Sequence, residues 1–171
     1  TGVLKHASNV PQSALAIEEV IRDAGLPADI FRTLMIRAAD VDAVIDDPRI
    51  AAVTLTGSEP AGRAVASRAA ANIKKAVLEL GGSDPFIVLD DADVEQAVEA
   101  AATSRFLNNG QSCIAAKRFI LTPGIADDFV ERFRQRVEAM TVGDPAAETT
   151  QLGPMARTDL RDELHTQVAD S

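Results

Sequence analysis

Between residues 1 and 80, short apolar runs alternate with segments whose apolar residues recur every three or four positions. The short runs predict β-strands, and the recurring positions predict amphipathic helices. We predict strands at 2–5, 30–35, 51–55 and 75–80, and helices at 13–24, at 41–45, and through Ala61, Val65, Ala69 and Ile73. Strands and helices that alternate across short connections are typical of βαβ units, so we expect an α/β fold with a parallel sheet.

The pattern restarts after the glycine pair at 81–82, which we interpret as a domain boundary. The segment Leu-Gly-Pro-Met at 152–155 is predicted as a turn. We expect two parts, residues 1–80 and residues 81–171. In the second part we predict strands at 85–89 and 117–121, a helix at 94–107, an amphipathic helix through Ile125, Phe129, Phe133, Val137 and Met140, and a last helix marked by Leu160, Leu164 and Val168.

Composition narrows the possible partners and compartments. The chain has 171 residues, with 17 Lys and Arg against 26 Asp and Glu, and a formal net charge of −9. No basic stripe stands out, so we do not expect nucleic acid as a partner. No apolar run approaches the ~18 residues that a membrane span requires, so no membrane partner is expected. A single cysteine excludes an internal disulfide and fits a reducing compartment, which predicts a cytoplasmic protein.

Aromatic and histidine content add two further expectations. Aromatic residues make up 4% of the chain, with no Trp or Tyr, so we expect a core built from Ala, Val, Leu and Ile. His6 and His165 are isolated from any cluster of cysteine or carboxylate residues, so we predict that both are non-catalytic and that the chain has no metal site.

Two residues offer covalent chemistry. Cys113, the only cysteine, follows Gly110 in a polar loop after a predicted helix. Glu79 has apolar residues on both sides and runs directly into the glycine pair, so we expect a half-buried carboxylate. One thiol and one such carboxylate suggest a nucleophile and its general base. Each signal is weak alone, because a lone cysteine is commonly an inert core residue and a carboxylate within a strand is commonly paired.

The sequence Leu-Glu-Leu-Gly-Gly at 78–82, followed by Gly-Gln-Ser-Cys at 110–113, resembles the aldehyde dehydrogenase superfamily over residues 1–171. The resemblance implies that Cys113 is the nucleophile and that Glu79 is the base that activates water. It also implies a small-molecule aldehyde substrate and NAD or NADP as cofactor. The implied fold has part of a Rossmann-type, parallel-sheet cofactor-binding domain in residues 1–80 and the start of an α/β catalytic domain in residues 81–171.

The Thr-Gly-Ser sequence at 56–58 ends a predicted strand and begins a predicted helix, where it could bind an anion or simply cap the helix. The spacing Gly-x-Gly-x-x-Gly is absent. The resemblance favours the first interpretation, with the cofactor pyrophosphate at this turn and the adenosine ribose at Lys5. Ser8 stands where many NAD-preferring members carry Glu, which suggests that both NAD and NADP are used. The implied cofactor-binding residues are Lys5, Ser8, Thr56, Gly57, Ser58, Leu80 and Gly81.

Within the superfamily, residues 79–89, 115–118 and 152–165 resemble the bacterial succinate-semialdehyde dehydrogenases, so succinate semialdehyde is the expected substrate. Superfamily members are much longer and this chain begins without Met, so we expect an internal fragment that has no turnover by itself. The whole enzyme is expected to be a homo-oligomer, a dimer or a tetramer. Two other hypotheses stay open. One is a CoA-acylating aldehyde dehydrogenase, against which Glu79 counts, and the other is an inactive fragment that serves only as a cofactor-binding or interaction module.

Overall fold

The computed structural model describes residues 1–171 as two compact units, Thr1–Leu80 and Gly81–Ser171. Its strands are β1 (Gly2–Lys5), β2 (Phe31–Leu34), β3 (Ala52–Gly57), β4 (Lys75–Leu80), β5 (Asp84–Val88) and β6 (Ala116–Leu121). Its helices are α1 (Pro11–Asp23), α2 (Val41–Asp46), α3 (Glu59–Ala71), α4 (Val94–Phe106), α5 (Ala126–Glu138) and α6 (Thr158–Ala169). The strands pair in parallel, which confirms the expected α/β class. They form three separate pairs, β1–β2, β3–β4 and β5–β6, rather than one continuous sheet.

In the first unit, hydrogen bonds fasten helix α1 to strand β2. The Thr33 N–H donates to Glu18 Oε2 over 2.6 Å, and the Thr33 hydroxyl donates to the Ala14 carbonyl oxygen over 2.9 Å. The Arg32 guanidinium donates to the other Glu18 oxygen over 2.9 Å. The Thr33 N–H, and after it the Arg32 guanidinium, hold the pKa of the Glu18 carboxyl below its ordinary value. These bonds fix the β1–α1–β2 crossover.

Helix α3 lies against strand β4 because one of its positions has no side chain. A Cβ atom at Gly62 would lie 2.8 Å from Leu80 Cδ2, so glycine permits the close approach of the two elements. Short helix α2 is tied to α3 through Asp46, which accepts hydrogen bonds from Arg68 and Asn72. These contacts fasten the carboxyl-terminal end of α3 to α2.

The core of the second unit lies where the β5–β6 pair packs with helices α4 and α5. Four of the six phenylalanines meet there, with ring centroids 5.2 to 6.2 Å apart: Phe86, Phe119, Phe129 and Phe133. Apart from Phe129, the buried residues of the core are Ala, Val and Ile, in line with the expectation, but the sequence did not predict that the few aromatic residues would form one cluster beside them. The buried members are Val88, Val98, Ala101, Ile125 and Phe129.

Helix α6 forms where it was expected, over Thr158–Ala169, but its apolar positions do not pack within this chain. Leu160, Leu164 and Val168 are all exposed. None of the helices combines the length and the apolar character that crossing a membrane would need.

Helix α3 ends at Ala71, before the predicted helix face reaches Ile73. Ile73 has a left-handed backbone with φ of 54° and is 96% exposed. The Ile73 N–H donates to the Ala70 carbonyl oxygen over 2.9 Å, and the Lys74 N–H donates to the Ala69 carbonyl oxygen over 2.8 Å. This pair of bonds is a Schellman motif, in which Ile73 occupies the position that glycine usually fills. The prediction for Ile73 is wrong because this turn directs the chain into β4.

We expect Ile73→Gly to stabilise the protein. A residue with a Cβ in the left-handed region costs about 1–2 kcal/mol, and the added freedom of glycine in the unfolded chain offsets part of the gain. The net increase in the free energy of unfolding should be about 0.5–1 kcal/mol, measured from the urea midpoint of the full-length protein. Ala71→Gly, two positions earlier in helical backbone, should lower the midpoint. A lower midpoint for Ile73→Gly would contradict the assignment of strain to this residue.

Candidate functional site

The parallel pairing of β3 with β4 brings two candidate segments of the first unit side by side. Thr56 lies opposite Glu79 in the strand register, and Gly57 lies opposite Leu80. The two strands therefore end together, with the Thr-Gly-Ser turn next to the candidate base. Ligands of parallel α/β sheets bind at this carboxyl edge.

Ser58 caps helix α3 and remains exposed. Its Oγ accepts a hydrogen bond from the Ala61 N–H over 3.4 Å, which leaves the hydroxyl hydrogen free to donate. Glu59 brings a carboxylate into the first helical turn, but Arg63 forms an ion pair with it. The exposed hydroxyl and the helix start are donors that suit a phosphate oxygen. The residues present therefore fit a dinucleotide pyrophosphate at this turn.

Glu79 is exposed in this chain, so the expectation of a half-buried carboxylate is wrong. Alternate residues of a strand face opposite sides, and Leu80 faces helix α3. Glu79 therefore points to the side of β4 away from α3, where its neighbour Val77 is also exposed. The carboxylate has no ion pair or hydrogen bond within the chain, so both oxygens are available to a water molecule.

The other candidate cofactor residues follow strand β1. Lys5 is the last residue of β1, half-buried, and pairs in register with Leu34 of β2. Ser8 is exposed in the turn that follows. His6 donates from Nδ1 to the Ala7 carbonyl oxygen over 2.7 Å in the corresponding tautomer, while its Nε2 is buried without a hydrogen-bond partner. Sequence reasoning treated His6 only as an isolated residue and missed this unpaired nitrogen.

Cys113 lies exposed in the loop between helix α4 and strand β6 of the second unit. The loop follows a tight turn over Leu107–Gly110, in which three consecutive residues have left-handed backbone. Their φ angles are 52° at Asn108, 57° at Asn109 and 74° at Gly110. The Cys113 N–H makes no hydrogen bond within the chain, so this donor is free. The polar loop expected after the helix is confirmed, and it presents both a thiol and an N–H.

The segment Leu152–Ala156 contacts the cysteine loop. The Gly153 N–H donates to Asn109 Oδ1 over 2.9 Å, and the Ala156 N–H donates to Gln111 Oε1 over 3.3 Å. Sequence reasoning predicted a turn at 152–155 but gave no reason to bring it to the cysteine. The side-chain amides of Asn109 and Gln111 make this connection, and residue types alone do not reveal it.

Basic groups bind the main chain around the same loop. The Lys117 ammonium donates to the carbonyl oxygens of Ser112 and Cys113 over 3.2 and 3.1 Å. Arg105, on helix α4, donates to the carbonyl oxygens of Gly110 and Ala116, each over 2.7 Å. The sequence predicted no role at this loop for either basic residue, and Lys117 entered only through the likeness of residues 115–118.

A shallow groove runs along helix α4 to the residue after the cysteine. Its wall is largely apolar and contains Glu99 but no basic side chain. The lining residues are Gln96, Glu99, Ala100, Thr103, Ser104, Leu107 and Ile114. Within this chain, the groove therefore offers no basic side chain to a substrate carboxylate.

Comparison with known proteins gives one consistent family. The aldehyde dehydrogenase family model matches residues 1–171. The chain is 56% identical over 170 residues to a Mycobacterium ulcerans protein named succinate-semialdehyde dehydrogenase (NADP+) 1, covering 99% of this chain and 37% of that protein. It is 54% identical over 167 residues to a Synechocystis protein named probable succinate-semialdehyde dehydrogenase (NADP+), covering 98% of this chain and 37% of that protein.

A solved structure gives the same likeness in three dimensions. The succinic semialdehyde dehydrogenase from Streptococcus pyogenes, in complex with NADP+, superposes with a TM-score of 0.94 and 40% identity. The match covers 98% of this chain and 37% of that chain. The present chain thus spans a little over a third of the length of the relatives that it matches.

Proposed function

Because the chain belongs to the aldehyde dehydrogenase family, we propose that the full-length protein oxidises an aldehyde to the carboxylic acid with NADP or NAD. The observation that carries this proposal is the loop of Cys113. It exposes the only thiol of the chain together with the free N–H of the same residue. A thiolate and an adjacent N–H donor are the two groups that covalent attack on a carbonyl requires.

The proposed reaction begins when the Cys113 thiolate attacks the aldehyde carbon and forms a thiohemiacetal. The Cys113 N–H donates to the developing oxyanion. The nicotinamide, when bound, supplies the hydride acceptor for the oxidation of this adduct to a thioester. Water then hydrolyses the thioester and frees the thiol.

Glu79 is proposed to activate that water. A general base must be free to accept a proton from the water. Glu79 meets this condition in the first unit, because no basic side chain pairs with it and its side chain is exposed. A CoA-acylating enzyme transfers the acyl group to a thiol and does not need a base for water, so an unpaired Glu79 favours hydrolysis.

Residues 1–80 are proposed to form part of the cofactor-binding domain, and residues 81–171 the first part of the catalytic domain. Ser58 would contact the pyrophosphate, with Thr56 and Gly57 shaping the turn. Lys5 would contact the adenosine ribose and Ser8 its 2′ substituent. Leu80 and Gly81, next to Glu79, would lie along the cofactor. The fit of the exposed Ser58 hydroxyl at a helix start supports this arrangement.

Succinate semialdehyde is the proposed substrate. The support comes from the names of the relatives that are about 55% identical to this chain. The distal carboxylate of that substrate needs a basic partner, and the groove beside Ile114 has none. We therefore propose that the basic groups for the carboxylate come from other parts of the full-length protein. Further copies of the same chain are the proposed protein partners, as a dimer or tetramer.

The roles of Cys113 and Glu79 can be separated kinetically in the full-length protein. Cys113→Ser should abolish aldehyde oxidation. Glu79→Gln should keep a burst of NADPH equal to about one per site and then turn over slowly, because the thioester forms but is not hydrolysed. Stopped-flow absorbance of NADPH measures both phases.

Glu163→Gln is the matched control for Glu79→Gln, since Glu163 is an exposed glutamate of helix α6 without an ion pair in this chain. It should leave both kinetic phases unchanged. Full steady-state activity in Cys113→Ser would contradict the nucleophile assignment, and full steady-state activity in Glu79→Gln would contradict the base assignment.

Ser8 is expected to permit NADP. A carboxylate at this position would repel the 2′-phosphate, whereas a hydroxyl can donate a hydrogen bond to it. Ser8→Glu should lower kcat/KM for NADP by roughly 5- to 150-fold, which corresponds to about 1–3 kcal/mol, and should change kcat/KM for NAD much less.

The same substitution at Ser13, an exposed position in helix α1, adds an equal charge away from the proposed contact. Ser13→Glu should leave the ratio of the two kcat/KM values unchanged. An unaltered ratio in Ser8→Glu would remove Ser8 from the cofactor site.

A further inference from the structure

We propose that Arg105 is a positioning residue for Cys113, and this inference rests on the proposed role of Cys113 as the nucleophile. Arg105 lies on helix α4, one residue before its end. From there its guanidinium bridges the two sides of the cysteine loop. It acts on the main chain at both ends of the loop rather than on the substrate.

The bridge consists of two short hydrogen bonds. Arg105 Nη2 donates to the carbonyl oxygen of Gly110, and Arg105 Nη1 donates to the carbonyl oxygen of Ala116, each over 2.7 Å. Ser104 adds a third contact, because its Oγ accepts from the Ala116 N–H over 3.2 Å. Cys113 lies in the middle of the segment between the two bridged carbonyls. One rigid helix therefore sets the separation of both ends of the loop.

Arg105 differs in its partners from most arginines of the chain. Every arginine except Arg105 and Arg118 forms an ion pair with a carboxylate. Arg118 instead donates to the Ser83 carbonyl oxygen over 2.8 Å. The planar fork of a guanidinium can bond two acceptors at once in a fixed geometry. No carboxylate in this chain pairs with Arg105, so its guanidinium bonds only the main-chain carbonyls at the two ends of the loop.

The turn before the cysteine needs such support. Its left-handed residues Asn108 and Asn109 store backbone strain that persists only where surrounding contacts over-determine the conformation. Gly110 shows how closely the bridge approaches, since a Cβ there would lie 2.9 Å from Arg105 Nη2. Without the guanidinium, both the Gly110 and the Ala116 carbonyls would lose a half-buried charged donor. The loop would then sample other conformations, and the thiol and its N–H would move together.

Loss of the Arg105 bridge should slow the chemical step, because the thiol and the N–H of Cys113 would be displaced. A displacement of about 1 Å at a reacting group can cost ~10²-fold in rate. Binding of the aldehyde and the cofactor does not use the Arg105 contacts, so it should change little. We therefore expect Arg105→Met to lower kcat by roughly 10- to 100-fold while both KM values stay within about threefold.

The experiment uses the full-length protein with Arg105→Met, Arg105→Lys and the control Arg136→Met. Arg136 also bonds helix α4, through Glu99 over 2.7 Å, but it does not touch the loop. Three readouts are compared: kcat and KM with succinate semialdehyde and NADP+, the melting temperature, and the hydrogen exchange of the peptide that carries residues 107–117. Arg105→Met should speed exchange in this peptide by more than about tenfold. Arg136→Met should lower only the melting temperature.

Arg105→Lys should recover part of kcat, because an ammonium keeps the charge but lacks the planar fork. If Arg105→Met does not fold, Arg105→Lys tests the proposal by itself. A wild-type kcat together with wild-type hydrogen exchange of residues 107–117 in Arg105→Lys would overturn the positioning role of Arg105. Exchange in Arg105→Met equal to wild type would show that the bridge does not hold the loop. Faster exchange with unchanged kcat would show that the loop position does not matter for catalysis. A wild-type protein without aldehyde oxidation, or an active Cys113→Ser, would instead refute the proposed function while leaving the exchange result to test the bridge.

Discussion

The parallel pairing of strands is the constraint on which the rest of this structure depends. Parallel neighbours must be joined by a crossover, so the carboxyl ends of both strands meet at one edge. In the first unit this rule sets Thr56 and Gly57 opposite Glu79 and Leu80. The candidate phosphate-binding turn and the candidate base therefore lie at the same edge of the strand pair. Gly62 completes the arrangement, because it lets helix α3 lie close enough to Leu80 to present its start at the same edge.

The second unit carries the exposed thiol of Cys113 on a loop whose shape is set by a tight turn. Helix α4 has to reverse direction before strand β6, and the chain does so through three left-handed residues. Such a turn is costly for Asn108 and Asn109, and hydrogen bonds from both sides hold it in place. Arg105 bridges it from helix α4, and the amides of Asn109 and Gln111 bind the segment Leu152–Ala156. The exposed thiol of Cys113 therefore lies on a loop that hydrogen bonds hold from both sides.

Much of the fold could be predicted from the sequence, because its signals are local. Apolar periodicity located every strand and helix to within a few residues, and the motifs at 78–82 and 110–113 indicated the family. The errors have non-local causes. Ile73 looked like part of a helix face, but a Schellman turn ends α3 before it. The apolar neighbours of Glu79 suggested a half-buried side chain. Glu79 is exposed, because α3 packs on the Leu80 side of β4 and not on the side of Glu79. No sequence pattern indicated a role for Arg105, because its hydrogen-bond partners are two main-chain carbonyl oxygens that only the fold brings close to it.

Covalent chemistry at Cys113 is the central proposal, and trapping the acylated enzyme tests it directly. The full-length Glu79→Gln protein is incubated with succinate semialdehyde and NADP+, quenched in acid, digested, and analysed by peptide mass spectrometry. We expect a succinyl group on the peptide that contains Cys113, formed only when NADP+ is present. Formation of NADPH while Cys113 stays unmodified, or an acyl group on another residue, would contradict it.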